Sequence, residues 1–158
     1  DRIAVMFEGE IAQLADPETL YRRPATKKVA DFIGTMNFIP AEILSEAGDT
    51  VEVDAKGLGR VALDVSQAPA KSGDSPVVGL RPETLTLLYD DQKASDRETD
   101  GVIDEVIYFG DMTYYDVYLG GTDVEVRLSM RNVPGRPVLD VGTKVRVAWS
   151  PSALVLFR

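Results

Sequence analysis

Four stretches of the sequence place side chains at spacings that chemistry uses. Gly57-Leu58-Gly59-Arg60-Val61-Ala62 has the Gly-x-Gly-x-x-Ala spacing with which a strand-to-helix turn receives a dinucleotide pyrophosphate. Asp96, Glu98, Asp100 and Gly101 fall at the first, third, fifth and sixth positions of a calcium loop. Tyr108, Phe109, Tyr114, Tyr115 and Tyr118 could stack bases from two neighbouring strands. Arg22, Arg23, Lys27 and Lys28 form a dense basic patch suited to anionic lipid or an acidic partner. Each falls short of what its chemistry requires. The glycine stretch runs into the alternating Val61, Leu63 and Val65, so it reads as a hairpin turn. The calcium pattern has Ile107 where the closing carboxylate belongs and no flanking helices, leaving a solvated acidic loop. The rings are interleaved with Asp104, Glu105, Asp111 and Asp116, which repel phosphate, so some should fill a core and others cover its outside. Four cations on two short helices make a solvated face.

The composition narrows the chemistry further. The 158 residues include no histidine and no cysteine, which removes disulfides, thiol nucleophiles, imidazole bases and the common zinc sites. Carboxylate, hydroxyl, lysine and tyrosine chemistry remains. No Gly-x-x-x-x-Gly-Lys-Ser/Thr loop is present, so ATP cannot be held by that route. A net charge of −9 disfavours a nucleic-acid partner. No apolar run is long enough to cross a bilayer and no signal peptide opens the chain, so it reads as soluble and intracellular. It begins at Asp1 rather than Met, as a fragment of a longer protein would.

Elements must position these residues, and the periodicity changes once along the chain. Ile3 to Phe7 and Ile11 to Leu14 are short apolar runs around Glu8-Gly9-Glu10, predicting two strands and a tight turn. Asp16-Pro17-Glu18 starts a helix that Arg23-Pro24 ends. Thr26 caps a second, with Val29, Phe32 and Ile33 on one face and Gly34 at its stop. After Gly34 the pattern alternates. Strands are predicted at 50–54, 60–65, 77–81, 85–89, 102–109, 112–119, 123–131, 143–149 and 154–157, with a solvated acidic loop or linker over 90–100. Trp149 shares a face with Val145 and Val147, as a core residue would. The fold class is therefore mainly β, a small barrel or sandwich of short antiparallel strands behind a short α/β segment. The β stretches on either side of the acidic segment could form two similar lobes.

A resemblance adds to this reading. Asp1-Arg2-Ile3, Gly9-x-Ile11-x-Gln13, Pro17-x-x-Leu20-Tyr21, Pro24, Val29-Ala30-x-Phe32-Ile33-Gly34 and Asn37 resemble the stretch that follows the switch histidine in ATP-binding subunits of ABC importers. Ala15 departs from a position where that family often has glycine. Gly79-Leu80-Arg81-Pro82-Glu83, Gly101-Val102-Ile103, Tyr108-Phe109-Gly110-Asp111 and Val147-Ala148-Trp149-Ser150-Pro151-x-x-Leu154 are similar to marks of their C-terminal regulatory domain, the transport-associated OB (TOBE) domain. The spermidine/putrescine group is the nearest in appearance, with iron and sugar importers as alternatives.

The resemblance implies that residues 1–35 are the C-terminal remnant of a nucleotide-binding domain and residues 36–158 an OB-fold-like regulatory barrel. It implies no catalytic, nucleotide-binding or metal residue in this chain, with ATP and Mg belonging to the longer parent. Arg81, Pro82, Glu83, Gly110, Asp111 and Trp149 are its motif positions, Arg81 and Glu83 being expected to orient the turn between two strands. The implied partners are a second copy of the subunit, membrane permease subunits and a small-molecule effector, with no nucleic acid. The implied location is cytoplasmic, peripheral to the inner membrane. A ligand-sensing domain and an OB-type nucleic-acid binder stay open as rivals.

Overall fold

A computed structural model describes residues 1–69 and 74–158. The chain opens with strands β1 (Ile3–Phe7) and β2 (Glu10–Ala15), paired antiparallel as a separate two-stranded sheet. Helix α1 (Pro17–Arg22) begins where Asp16 accepts from the Thr19 amide at 2.9 Å, and those bonds hold the Asp16 carboxyl below the usual carboxylate range. Helix α2 (Lys27–Ile33) begins where Thr26 accepts from the Val29 amide. Both starts lie where the sequence places them. Val5, Leu20 and Val29 form a small core of their own here, while Phe32 is 68% exposed. Phe32 turns out of the expected buried face because its partner is Phe7, edge-on at 5.4 Å.

The remainder is β. Strands β3 (Asn37–Ala47), β4 (Thr50–Ala55), β5 (Gly59–Asp64), β6 (Val77–Leu80) and β7 (Thr86–Leu88) come first. Strands β8 (Arg97–Tyr108), β9 (Met112–Leu119), β10 (Glu125–Arg131), β11 (Lys144–Trp149) and β12 (Val155–Phe157) follow. They build two five-stranded antiparallel sheets, ordered β12-β6-β3-β4-β5 and β10-β9-β8-β11-β7. Two sequential lobes are not what forms. The short strands β7 and β12 each join the sheet made by the other half, and both sheets bury one shared core that includes Ile39, Val53, Leu63, Val117, Leu128 and Val147.

Each sheet curls around one long strand. β3 pairs with β6 through Asn37–Pro40 and with β4 through Ala41–Ala47, and its register shifts between Ile43 and Ser45. β8 does the same between β11 and β9, with a shift between Ile103 and Glu105. An extra residue on one strand bends it and increases its twist, which closes a flat sheet toward a barrel. The architecture is a mainly β, OB-like barrel, as the alternation predicts.

The segment 90–100 departs from expectation. β8 starts at Arg97, so Glu98, Thr99 and Asp100 are strand residues rather than loop. Polar side chains on both faces of this stretch hide it from a period-two reading. Arg146 holds what precedes it, donating to the carbonyls of Asp90 and Gln92 at 2.8 Å and meeting the Glu98 carboxylate at 3.3 Å. Of the calcium pattern, Glu98, Asp100 and Gly101 likewise lie along β8, with Asp96 just before it. The Gly57 turn, by contrast, is the hairpin between β4 and β5. Its Gly57 and Gly59 take φ of +91° and +86°, and its tip touches the β9–β10 turn, where a Cβ on Gly57 would lie 2.9 Å from Leu119 Cβ.

Candidate functional site

The turn after β6 carries three of the six motif residues, and its side chains diverge. Arg81 is buried, 4% exposed, and points away from the turn into the helical segment. One guanidinium nitrogen donates to the carbonyls of Ala30, Gly34 and Thr35 at 3.1–3.2 Å, and the other to the Tyr21 carbonyl at 3.2 Å. The guanidinium also lies 4.3 Å from the centre of the Tyr21 ring. The Tyr21 hydroxyl donates in turn to Glu83. Burial pushes the Arg81 guanidinium down from its usual value, and burial with the Glu83 bond pushes Tyr21 up to about 12. The turn itself is closed by main chain and Thr84, whose hydroxyl donates to the Arg81 carbonyl at 2.6 Å. The side chains of Arg81 and Glu83 thus reach α1 and α2.

Pro82 faces a different place. With Thr35 it borders a depression of about 430 Å³ walled by Ile107, Phe109, Met112 and Tyr114, with Asp111 and Arg127 at its rim. Gly110 sits in the β8–β9 hairpin beside it at φ +85°. Asn132, which no motif flags, secures that hairpin: its amide donates to the Gly110 carbonyl at 2.8 Å and its oxygen accepts from Thr113 at 2.7 Å. Phe109 stays 63% exposed and stands edge-on to Tyr114 at 5.4 Å. Arg127 is gripped by Asp116 through two bonds of 2.8 and 3.1 Å, which hold the guanidinium above its usual value. Trp149 belongs to neither group. It lies in the shared core with Val145 and Val147, its ring beneath the Arg97 guanidinium at 5.5 Å.

The remaining features find ordinary uses. Tyr115 is buried, its hydroxyl accepting from the Leu139 amide, whereas Tyr108 is exposed. In the basic patch Arg22 pairs with Glu18, Lys27 lies over the Phe38 ring and Lys28 over the Phe7 ring. Among the described residues no group of three or more acids is disposed to hold a metal ion. Among the described residues no helix is long and apolar enough to cross a membrane.

Against known proteins, residues 78–157 match the family model described as the TOBE domain. The chain belongs to the TOBE domain family. That stretch runs from β6 to β12, so the TOBE match includes the Arg81 turn, the Gly110 hairpin and Trp149. Three relatives extend the similarity to the helical segment. The spermidine/putrescine import ATP-binding protein PotA 2 of Pseudomonas aeruginosa is 37% identical over 150 residues, 94% of this chain and 41% of the relative. The PotA proteins of Nitrosomonas europaea and Thermotoga maritima are 34% and 31% identical, each over 96% of this chain and 42% of the relative. The chain therefore spans about two fifths of the length of the curated relatives it matches. Among solved structures, the cytoplasmic molybdate-binding protein ModG, crystallised with molybdate bound, shares the fold with a TM-score of 0.55 at 15% identity, over 78% of this chain and 94% of that one.

Proposed function

We propose that the chain is the non-catalytic regulatory and dimerisation module of the ATP-binding subunit of an ABC importer, with polyamines as the transported solute. The observation that carries this reading is the similarity to spermidine/putrescine import ATP-binding proteins, which covers 94% of the chain. Residues 1–35 are read as the tail of the nucleotide-binding domain. Their own small core and the outward-facing Ile3, Met6, Ile11, Leu14 and Phe32 support that division, because a finished domain rarely shows so many apolar side chains on so few residues. Residues 36–158 are the TOBE barrel. ATP and Mg belong to the longer subunit, which sits on the cytoplasmic side of the inner membrane against its permease partners. A lasting contact between two barrels keeps the nucleotide-binding domains at high effective concentration while they open and close. The isolated chain is expected to turn over no ATP. In a longer subunit, deleting residues 36–158 is expected to leave ATP hydrolysis measurable and weaken subunit pairing between turnovers; unaltered pairing contradicts the dimerisation role.

A second reading has one specific observation behind it. ModG, which shares the fold, holds molybdate, and the depression beside Pro82 offers this barrel a place for a small effector. Calorimetry with spermidine, putrescine, molybdate and other oxyanions separates the readings. Heat from one of them favours a sensor, and silence across the panel removes it. Nucleic acid is not proposed as a partner, since acids flank the exposed rings.

A further inference from the structure

The contact between the helical segment and the barrel is made by an unusual kind of group. Among the described residues Arg81 is a buried cation in direct contact with no carboxylate: its terminal nitrogens donate to four carbonyls and its guanidinium lies over one ring, while its Nε is buried without a partner and Glu83 acts on it only through space. Three of those carbonyls, from Ala30, Gly34 and Thr35, lie at and just beyond the C-terminal end of α2, where the helix dipole favours positive charge. Tyr21 and Glu83 complete the arrangement from α1 and from the turn. A charge taken out of water this way is stable only while its partners stay in place, because each lost carbonyl leaves desolvation uncompensated. The fork geometry of the guanidinium makes the contacts form and break together rather than one at a time. The apolar support at this junction is slight. Ala30 packs with Met36, Val155 and Phe157 in a small cluster apart from the main core, and Val29 belongs to the helical segment's own core.

We propose that Arg81 is a latch: engaged, it makes residues 17–34 and the β barrel one rigid body, and released into water, it lets the helical segment swing on the 34–36 connector. Such a junction has two positions rather than a continuous range, as packed interfaces generally do. The latch rests on the geometry alone. Its use, passing movement of a nucleotide-binding domain to the regulatory barrel, rests on the reading above.

The chain has no cysteine, so a pair of labels can be placed cleanly. Spin labels on Asp31→Cys in α2 and Lys144→Cys in β11, both exposed, report the distance between the two parts. The native chain is expected to give one narrow distance, Arg81→Met a broad or split distribution, and Arg81→Lys an intermediate one. Tyr21→Phe, which removes only the bond to Glu83, is expected to broaden it least. Circular dichroism and Trp149 fluorescence monitor the barrel in each variant. An unchanged narrow distance in folded Arg81→Met overturns the latch. Collapse of the barrel together with the helical segment overturns it equally, since Arg81 would then be a core residue of one indivisible fold. A latch that behaves as described, in a subunit where Arg81→Lys leaves the coupling of ATP hydrolysis to transport untouched, contradicts the proposed use and spares the latch.

Discussion

The side-chain amide of Asn37 stands in for a neighbouring strand against Arg127. Its Nδ2 donates to the Arg127 carbonyl at 2.7 Å, and its Oδ1 accepts from the Arg127 amide at 2.8 Å. Asn37 opens β3 and Arg127 lies in β10, which among the described residues pairs with β9 alone, so this exchange ties the two sheets together at an edge. It also occupies an amide and a carbonyl that would otherwise offer themselves to another chain.

Asn37→Ala leaves both Arg127 main-chain groups without their partner. A loss of about 1–3 kcal/mol is expected from the penalty for unsatisfied groups. Urea unfolding followed through the lone Trp149 checks it. Asn37→Asp, which keeps an acceptor and loses the donor, should fall between.

Two motif glycines are explained by close approach. A Cβ on Gly101 would lie 2.5 Å from Val117 Cγ1 and 3.0 Å from the Tyr118 carbonyl oxygen. A Cβ on Gly79 would meet the Met36 sulfur at 2.5 Å and the Phe157 ring at 2.9 Å. Overpacking of this kind costs about 1–3 kcal/mol. Gly101→Ala is expected to be the more damaging in thermal unfolding, because main chain and a fully buried valine cannot yield as a thioether can.

Glu125 gives a pH signature. Partial desolvation, then Asp104 and Asp116, raise its carboxyl above the ordinary value of 4.5. An acid raised on folding favours the protonated native state, so its ionisation works against the fold as pH rises past the folded value. Glu125→Gln should therefore raise the melting temperature slightly at pH 7 and leave it unchanged well below pH 4.5. Asp123 runs the other way. Its bond to Lys56 at 2.6 Å holds its carboxyl below the ordinary 3.8, so that stabilisation is present above 3.8 and disappears as pH falls through the lower folded value. Lys56→Met should lower the melting temperature at pH 7, and the difference should close in acid.

What the sequence makes legible is what neighbours decide. Asp16 and Thr26 cap their helices three residues away, and Gly57 turns a hairpin whose strands flank it, so each is visible in a short window. Val124, Val126, Leu128 and Met130 alternate because one face of the β10 stretch is buried. The first residues of β8 escape notice because neither of their faces is apolar. The work of Arg81 escapes it for another reason: its carbonyl partners lie 46 to 60 residues back, and nothing local to Arg81-Pro82-Glu83 points toward them. Asn37 and Asn132 are short polar residues whose importance comes entirely from what folding brings beside them.

Pairing of two copies of this TOBE chain is read out by light scattering on the isolated chain at high micromolar concentration. A mass near twice the 17.3 kDa of one chain is expected, shifting toward one chain on dilution. A mass of one chain throughout the high micromolar range contradicts self-association by this module.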